Sequence, residues 1–337
     1  MNCDVTIGIP AYRAQPYIRR ALESALGQTF PSVEVLLVDD GSDDGTFDVV
    51  GEVLAEQQKT VNVRILKNEV NRGVAASRNR IIDEAKGNYL YFMDADDEIE
   101  TRTIALLMEQ VRCCGAEMVL GSYDKTDTDG RRQCFQYPSL RLNEADGLAS
   151  FAYRKYGGLQ ASACNYLVST SVLRSCGLRF IDTDYWEDMA FTFNLVTYVS
   201  RAVLLPDVTY HYYCREGSLS RYQQRDTIGH DEIMRNVATV DYLKDTSAAL
   251  AHKDYYPLRL LNIMKTDFYM ARHVIRRRSD IVPAVTAGEL KAMMAHPATL
   301  RQIVSFRQAR MANLAFWLLG RLPARLCVNI ISILTNK

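Results

Sequence analysis

The chain has 337 residues, 48% of them hydrophobic and 24% charged, enough for a packed core and for two domains or one large domain with an appendage. Its 40 basic residues balance 40 acidic ones, so no global field for nucleic acid is implied. The eight cysteines include no Cys-x-x-Cys pair, which argues for reduced cytosolic thiols over a zinc site or a disulfide framework.

The opening MNCDVTIGIP has an acid at Asp4 and no basic, long apolar leader, so no signal peptide is expected. VTIGI (5–9) predicts a strand, and PYIRRALESAL (16–26) a helix with an apolar stripe and Pro16 in its first turn. VEVLLV (33–38) is a second strand, followed by a helix that starts in capping residues at DDGT. VNVRIL (61–66) is a third strand, GVAASRNRIIDEAK (73–86) a helix stopped by Gly87, and YLYFM (89–93) a fourth strand. This alternation implies a mostly parallel, Rossmann-like sheet with helices on both faces. EMVLGSYDK and RRQCFQY predict two strands joined at Asp129-Gly130. NYLVS predicts a strand before a short helix, WEDMAFTFNLVTYVS (186–200) a helix, and AVLLPDVTYHYYCREGSLSR a strand pair running into a polar loop. From about residue 226 the pattern is helical, divided by Pro257, Pro283, Pro297 and Pro323.

In such sheets ligands bind beyond the carboxyl ends of the strands, where Asp39, Asp40, Asp94, Asp96 and Asp97 all fall. Carboxylates at that density repel one another and resist leaving water. An Asp-x-Asp at a strand end suits Mg²⁺ or Mn²⁺, which one or two carboxylates plus substrate phosphates can hold. The alternative is a solvated acidic loop before the next helix. Glu187 and Asp188 lie in a predicted first helical turn, where acids also serve the dipole.

The segment IGIPAYRAQPYIRRALESALGQTFPSVEVLLVDDGSDDGT resembles the nucleotide-sugar-binding half of family 2 glycosyltransferases. NRGVAASRN (71–79), YLYFMDADD (89–97), WEDMAF (186–191) and YYCREGSLS (212–220) continue that resemblance in order over about 220 residues. It implies an A-type glycosyltransferase fold and an inverting, metal-dependent sugar transfer. It places Pro10 and Tyr12 against the nucleotide base, with packing of Tyr12 on the following helix as the alternative. It makes Asp39 a hydrogen-bond acceptor for the base, and gives Asn71, Gly73 and Arg78 to the nucleotide. Arg78 facing solvent is the other option. It assigns Asp94, with Ala95 beside it, to the ribose and donor, and Asp96 to the metal. Asp188 becomes the general base and Glu187 a ligand of the acceptor hydroxyl. Arg215 and Ser218 stabilise the leaving diphosphate. His211 is a further metal or diphosphate ligand, with a structural role in the strand as the alternative. One departure stands out: where many members have Trp-x-Lys, this chain has Cys164 and no lysine, which leaves the acceptor side open.

Two rival readings are a nucleotidyl or phosphoryl transferase and a non-catalytic partner of such enzymes. The first needs a glycine-rich phosphate loop after strand one, and IPAYRAQPY has none; the second is disfavoured because both acidic motifs are present. Residues 1–222 are therefore expected to form the catalytic domain, and 223–337 a helical extension. After Glu289 there is no acid, while Lys291, Arg301, Arg307, Arg310, Arg321, Arg325 and Lys337 are basic and Phe316 and Trp317 sit among aliphatic residues. Such a tail suits an anionic membrane surface, with docking on the catalytic domain as the alternative. The expected partners are a nucleotide-sugar donor, UDP-linked rather than GDP-linked, and a glycan or lipid-linked acceptor. The expected place is the cytoplasmic membrane face, in surface polysaccharide assembly.

Overall fold

The structure, a computed structural model, describes residues 3–57, 61–183, 185–215 and 227–335. The chain forms two compact units. One takes Met1–Leu148, Ser162–Asp182 and Leu195–Ser218, the other Ala149–Ala161, Thr183–Asn194 and Leu219–Lys337. Compactness thus groups 149–161 and 183–194 with the C-terminal helices, across the 222/223 division read from sequence.

The first unit holds the sheet. β1 (Val5–Ala11), β2 (Val33–Asp39), β3 (Asn62–Lys67) and β4 (Tyr89–Phe92) run parallel in the order β3-β2-β1-β4. Every residue of β1 and β2 is buried, which explains their unbroken apolar runs. α1 (Ile18–Leu26), α2 (Thr46–Glu56) and α3 (Val74–Glu84) make the crossovers. Strand order reverses at β1, so the crevice at the carboxyl ends of β1 and β4 is the switch point.

Beyond β4 the sheet becomes mixed. β5 (Glu98–Ile99) and α4 (Thr103–Cys114) precede the hairpin β6 (Met118–Thr126) and β7 (Arg132–Phe135), as the turn residues predicted. β8 (Leu140–Leu142) and α5 (Gly147–Lys155) follow, then β9 (Tyr166–Ser169) and α6 (Thr170–Cys176). β9 lies antiparallel between β4 and β6. After α7 (Glu187–Leu195) comes β10 (Ala202–Tyr213), a single strand where the sequence suggested a pair. Pro206 is tolerated there because the register with β6 shifts between Leu204 and Val208. Gly87 also has a different task from stopping α3, which caps at Ala85. A Cβ at Gly87 would stand 2.5 Å from the Thr6 backbone nitrogen, so the glycine permits close approach to β1.

In the second unit, β11 (Ile228–Gly229) pairs in parallel with β12 (Ile281–Val282) around α8 (His230–Ser247) and α9 (Tyr256–Arg276). Pro257 sits in the first turn of α9 and does not divide helices. α10 (Ala287–Met293) and α11 (Leu300–Ser305) begin with capping boxes, Thr286 with Glu289 and Thr299 with Gln302. α12 (Arg310–Arg321) and α13 (Ala324–Thr335) pack on α9, and α13 also on α10. Buried Asn313 fixes α12 by donating from Nδ2 to the Pro257 carbonyl at 3.0 Å. None of the described helices is long and apolar enough to cross a membrane.

Candidate active site

The carboxyl edge of the first unit gathers the predicted acids. Asp39 ends β2 and is buried; its Oδ1 accepts from the Ser42 backbone N–H at 2.8 Å. Its buried Oδ2 has no hydrogen-bond partner among the described residues, and Lys67 Nζ stands 3.8 Å away. A buried acceptor without a donor is costly unless a ligand supplies one. Pro10, buried in β1, and Tyr12, 41% exposed, frame the same edge. The Arg13 guanidinium sits 5.3 Å from the Tyr12 ring centroid and pairs with Asp43, so Tyr12 stands at the surface.

Asp40, the second acid of its motif, has a structural role the sequence concealed. It accepts from Asn68 Nδ2 at 2.7 Å and from the backbone N–H groups of Arg72 and Gly73 at 3.0 and 2.8 Å. It thereby fixes the entry to α3. Asn71 Oδ1 adds a contact to the Gly73 N–H at 3.1 Å. Gly73 has φ 86°, which favours glycine at this cap. From α3, Arg78 turns inward, 4% exposed, and pairs with Asp94 at 2.8 Å; the solvent-facing option is excluded.

At the end of β4 the acids find separate partners. Asp94 has Arg78, and Asp96 Oδ2 accepts from Arg215 Nε at 2.5 Å. Arg215 also lies 5.1 Å from the Tyr17 ring. Asp97 is buried, accepting from Tyr210 Oη at 2.6 Å and from the Tyr213 backbone N–H at 2.9 Å. Tyr210 Oη in turn accepts from the Asp94 N–H at 3.2 Å, so β10 holds the whole turn, Ala95 included. Burial and the neighbouring Asp94 charge raise Asp96 above the ordinary carboxylate range, although Arg215 opposes this. Burial, then Asp94 and Asp96, pushes Asp97 well above that range.

The second acidic pair belongs to the other unit and opens α7. Glu187 is buried, and Asp188 Oδ1 accepts from the Met189 N–H at 2.6 Å. Trp186, just before them, has φ 66°. A bulky side chain in that region costs of order 1–3 kcal/mol, a strain found at functional sites. Tyr185 is anchored by donating its hydroxyl to Glu232 Oε1 at 3.0 Å.

The family model for glycosyl transferase family 2 matches residues 6–169. Residues 6–169 are a glycosyl transferase family 2 domain. The succinoglycan biosynthesis protein ExoO of Rhizobium meliloti is 27% identical over 322 residues, covering 93% of this chain and 87% of that protein. The UDP-Glc:alpha-D-GlcNAc-diphosphoundecaprenol beta-1,3-glucosyltransferase WfaP of Escherichia coli is 27% identical over 235 residues, covering 69% and 86%. The crystal structure of S. aureus TarS 1-349 in complex with UDP-GlcNAc matches with TM-score 0.63 and 18% identity, covering 94% of this chain and 90% of that one. The fold is the A-type glycosyltransferase fold, and the protein is a glycosyltransferase.

Family 2 glycosyltransferases generally use a divalent cation, and the residues present fit one. Asp96 is desolvated beside Asp94, so positive charge is favoured at its carboxylate. Among the described residues no group of three His, Cys, Asp or Glu is arranged to hold a metal by protein atoms alone. His211 is not part of this cluster. Neighbouring side chains on a strand point to opposite faces, and Tyr210 takes the one toward Asp97. His211 instead has Nδ1 3.0 Å from both Asp124 oxygens and Nε2 2.9 Å from Glu100. Ser218 lies outside the described residues. Cys164 is buried, and burial pushes its thiol well up in this glycosyltransferase.

Proposed function

We propose that the protein is an inverting, metal-dependent transferase that moves a hexosyl or N-acetylhexosaminyl group from a UDP-sugar to an acceptor hydroxyl. The observation that carries this reading is the cluster at the end of β4, where Asp94 and Asp96 meet Arg78 and Arg215. Asp39, with its unsatisfied Oδ2, accepts from the base; Pro10 and Tyr12 lie against it, and Asn71, Gly73 and Arg78 border the nucleotide. Asp94 with Ala95 takes the ribose. Asp96, with Asp94 beside it, is the place for Mg²⁺ or Mn²⁺, whose charge when bound offsets that of the diphosphate. Asp188 takes the proton of the acceptor hydroxyl, which Glu187 orients. The hydroxyl oxygen then bonds to the anomeric carbon as the carbon–oxygen bond to the diphosphate breaks. The electron pair leaves with UDP, where Arg215 and Ser218 meet the growing charge. Single displacement turns an α-linked donor into a β product.

Residues 1–222 are the catalytic domain in this reading, and 223–337 its helical extension. The acceptor is a lipid-linked glycan of surface polysaccharide assembly, an assignment supported by the described activity of WfaP. The tail docks on α9 and α10, yet Met311, Leu318, Leu326 and Ile333 are all at least 46% exposed among its arginines. That face suits the anionic inner surface of the cell membrane. A panel of UDP- and GDP-sugars, scored by nucleotide release and thermal shift with and without Mn²⁺, tests the reading. UDP should stabilise the protein far more with Mn²⁺ than in chelator. Equal UDP binding in chelator, with full activity of Asp96→Asn, would contradict the metal role.

A further inference from the structure

Arg259 lies in the first turn of α9 and is fully buried. That is the positive end of a helix, the unfavourable place for a cation. Among the described residues no carboxylate pairs with it. A buried guanidinium has five N–H donors to satisfy. All five are used here, and on neutral groups. Nε donates to Ser247 Oγ at 2.7 Å. One terminal nitrogen donates to Tyr153 Oη and to the Phe193 carbonyl, the latter at 3.1 Å. The other donates to Asn194 Oδ1 at 2.5 Å and to Thr246 Oγ1 at 3.3 Å.

These acceptors share a position. Phe193 and Asn194 belong to the last turn of α7; Thr246 and Ser247 end α8. The Ser247 hydroxyl in turn donates a hydrogen bond to the Leu243 carbonyl at 2.6 Å, deeper in the same helix end. Each helix C-terminus carries about half a negative elementary charge, so two together answer one guanidinium. The Phe193 ring, 4.5 Å from the guanidinium carbon, adds its face. Tyr153 closes the set by donating to the same Phe193 carbonyl at 2.6 Å.

The other end of α7 begins with Glu187 and Asp188, after the left-handed Trp186. We propose that Arg259 is a positioning residue for that acidic pair: it clamps the C-terminal turn of α7 so that the carboxylates at its N-terminus keep their place. This rests on the assignment of Asp188 as base. A helix of this length spans about 13 Å, so a tilt of about 5° at the clamp moves the carboxylates by about 1 Å. A misplacement of that size costs up to about 10²-fold in rate.

The test uses the full chain with Tyr153→Phe, which removes one oxygen from the clamp, and Arg259→Lys, which keeps the charge with only three donors. Hydrogen exchange of the peptide spanning α7 is followed by mass spectrometry, together with UDP affinity and UDP release from UDP-glucose and UDP-N-acetylglucosamine in Mn²⁺. Exchange in α7 should quicken roughly tenfold and turnover fall about tenfold to a hundredfold, with UDP affinity unchanged. In an Asp188→Asn background the same substitutions should cost no further turnover. Unchanged α7 exchange in folded Tyr153→Phe overturns the proposal. So does a turnover loss that adds in full to that of Asp188→Asn. Normal turnover of Asp188→Asn by itself would instead sink the base assignment and leave the exchange result to decide the clamp.

Discussion

Asp40→Asn is the substitution whose cost the structure defines most closely. The aspartate is 2% exposed and offers two oxygens to three donors: Oδ1 to Asn68 Nδ2 and the Arg72 N–H, Oδ2 to the Gly73 N–H. Asparagine keeps the shape but has one oxygen and one NH₂ group. With its oxygen in the Oδ1 position, NH₂ faces the Gly73 N–H, donor against donor. The flipped amide faces both other donors and is worse. The Gly73 N–H keeps Asn71 Oδ1 at 3.1 Å as a second acceptor, so the cost is the new amide NH₂ held against a donor with no acceptor of its own, in the lower part of the about 1–3 kcal/mol of an unsatisfied buried donor. Losing a negative charge beside Asp39 gives some of this back. The expected net loss is about 1.5 kcal/mol in urea unfolding, at unchanged m-value. The entry to α3 loosens with it, so UDP affinity should weaken about five- to tenfold, near 1 kcal/mol. Stability within about 0.5 kcal/mol of wild type, the scatter of a neutral surface change, would refute the reasoning.

Arg215→Ala should leave Asp96 without its counter-charge, so Mn²⁺ alone should raise the melting temperature of the variant more than that of wild type, while UDP binds more weakly; equal Mn²⁺ shifts would contradict this. Burial raises Asp267 to about 7 although Lys244 Nζ is 2.8 Å away, with Asp241 on the same ammonium. The folded state then holds a proton that the unfolded chain has already released, so the stabilising contribution is full below about pH 4 and is lost as pH rises through about 7. Asp267→Asn should therefore flatten the fall in melting temperature between pH 5 and pH 8, and parallel slopes would refute it. Leu318→Glu and Ile333→Glu, both at exposed positions, should cut co-sedimentation with phosphatidylglycerol vesicles about tenfold or more, since each apolar side chain contributes about 1.5–3 kcal/mol when buried. High salt should weaken the wild-type attachment without abolishing it; no binding by wild type would end the membrane proposal.

The first hundred residues were legible because the hydrophobic period switches cleanly between strand and helix there, and β1 and β2 are buried on both faces. Pro206 interrupts the run that forms β10, and the register shift that accommodates it depends on β6, far away in sequence. The acids of the site were visible as residues but not as partners. Nothing local tells that Asp40 serves a loop some thirty residues on, or that Asp97 belongs to Tyr210. His211 attracted attention as a metal ligand, and only strand alternation against Tyr210 turns it away. Arg259 carried no signal at all, because its acceptors come from three separate helices and a backbone carbonyl.

The measurement that bears most directly on the central claim compares Asp188→Asn with wild type in sugar transfer and in UDP binding. The amide keeps the size of the side chain and removes its ability to take a proton. Turnover should fall by about 10²-fold or more, with UDP affinity within about twofold of wild type. Near-normal turnover would contradict the claim. So would a large loss of UDP affinity, which would move Asp188 from the acceptor to the donor.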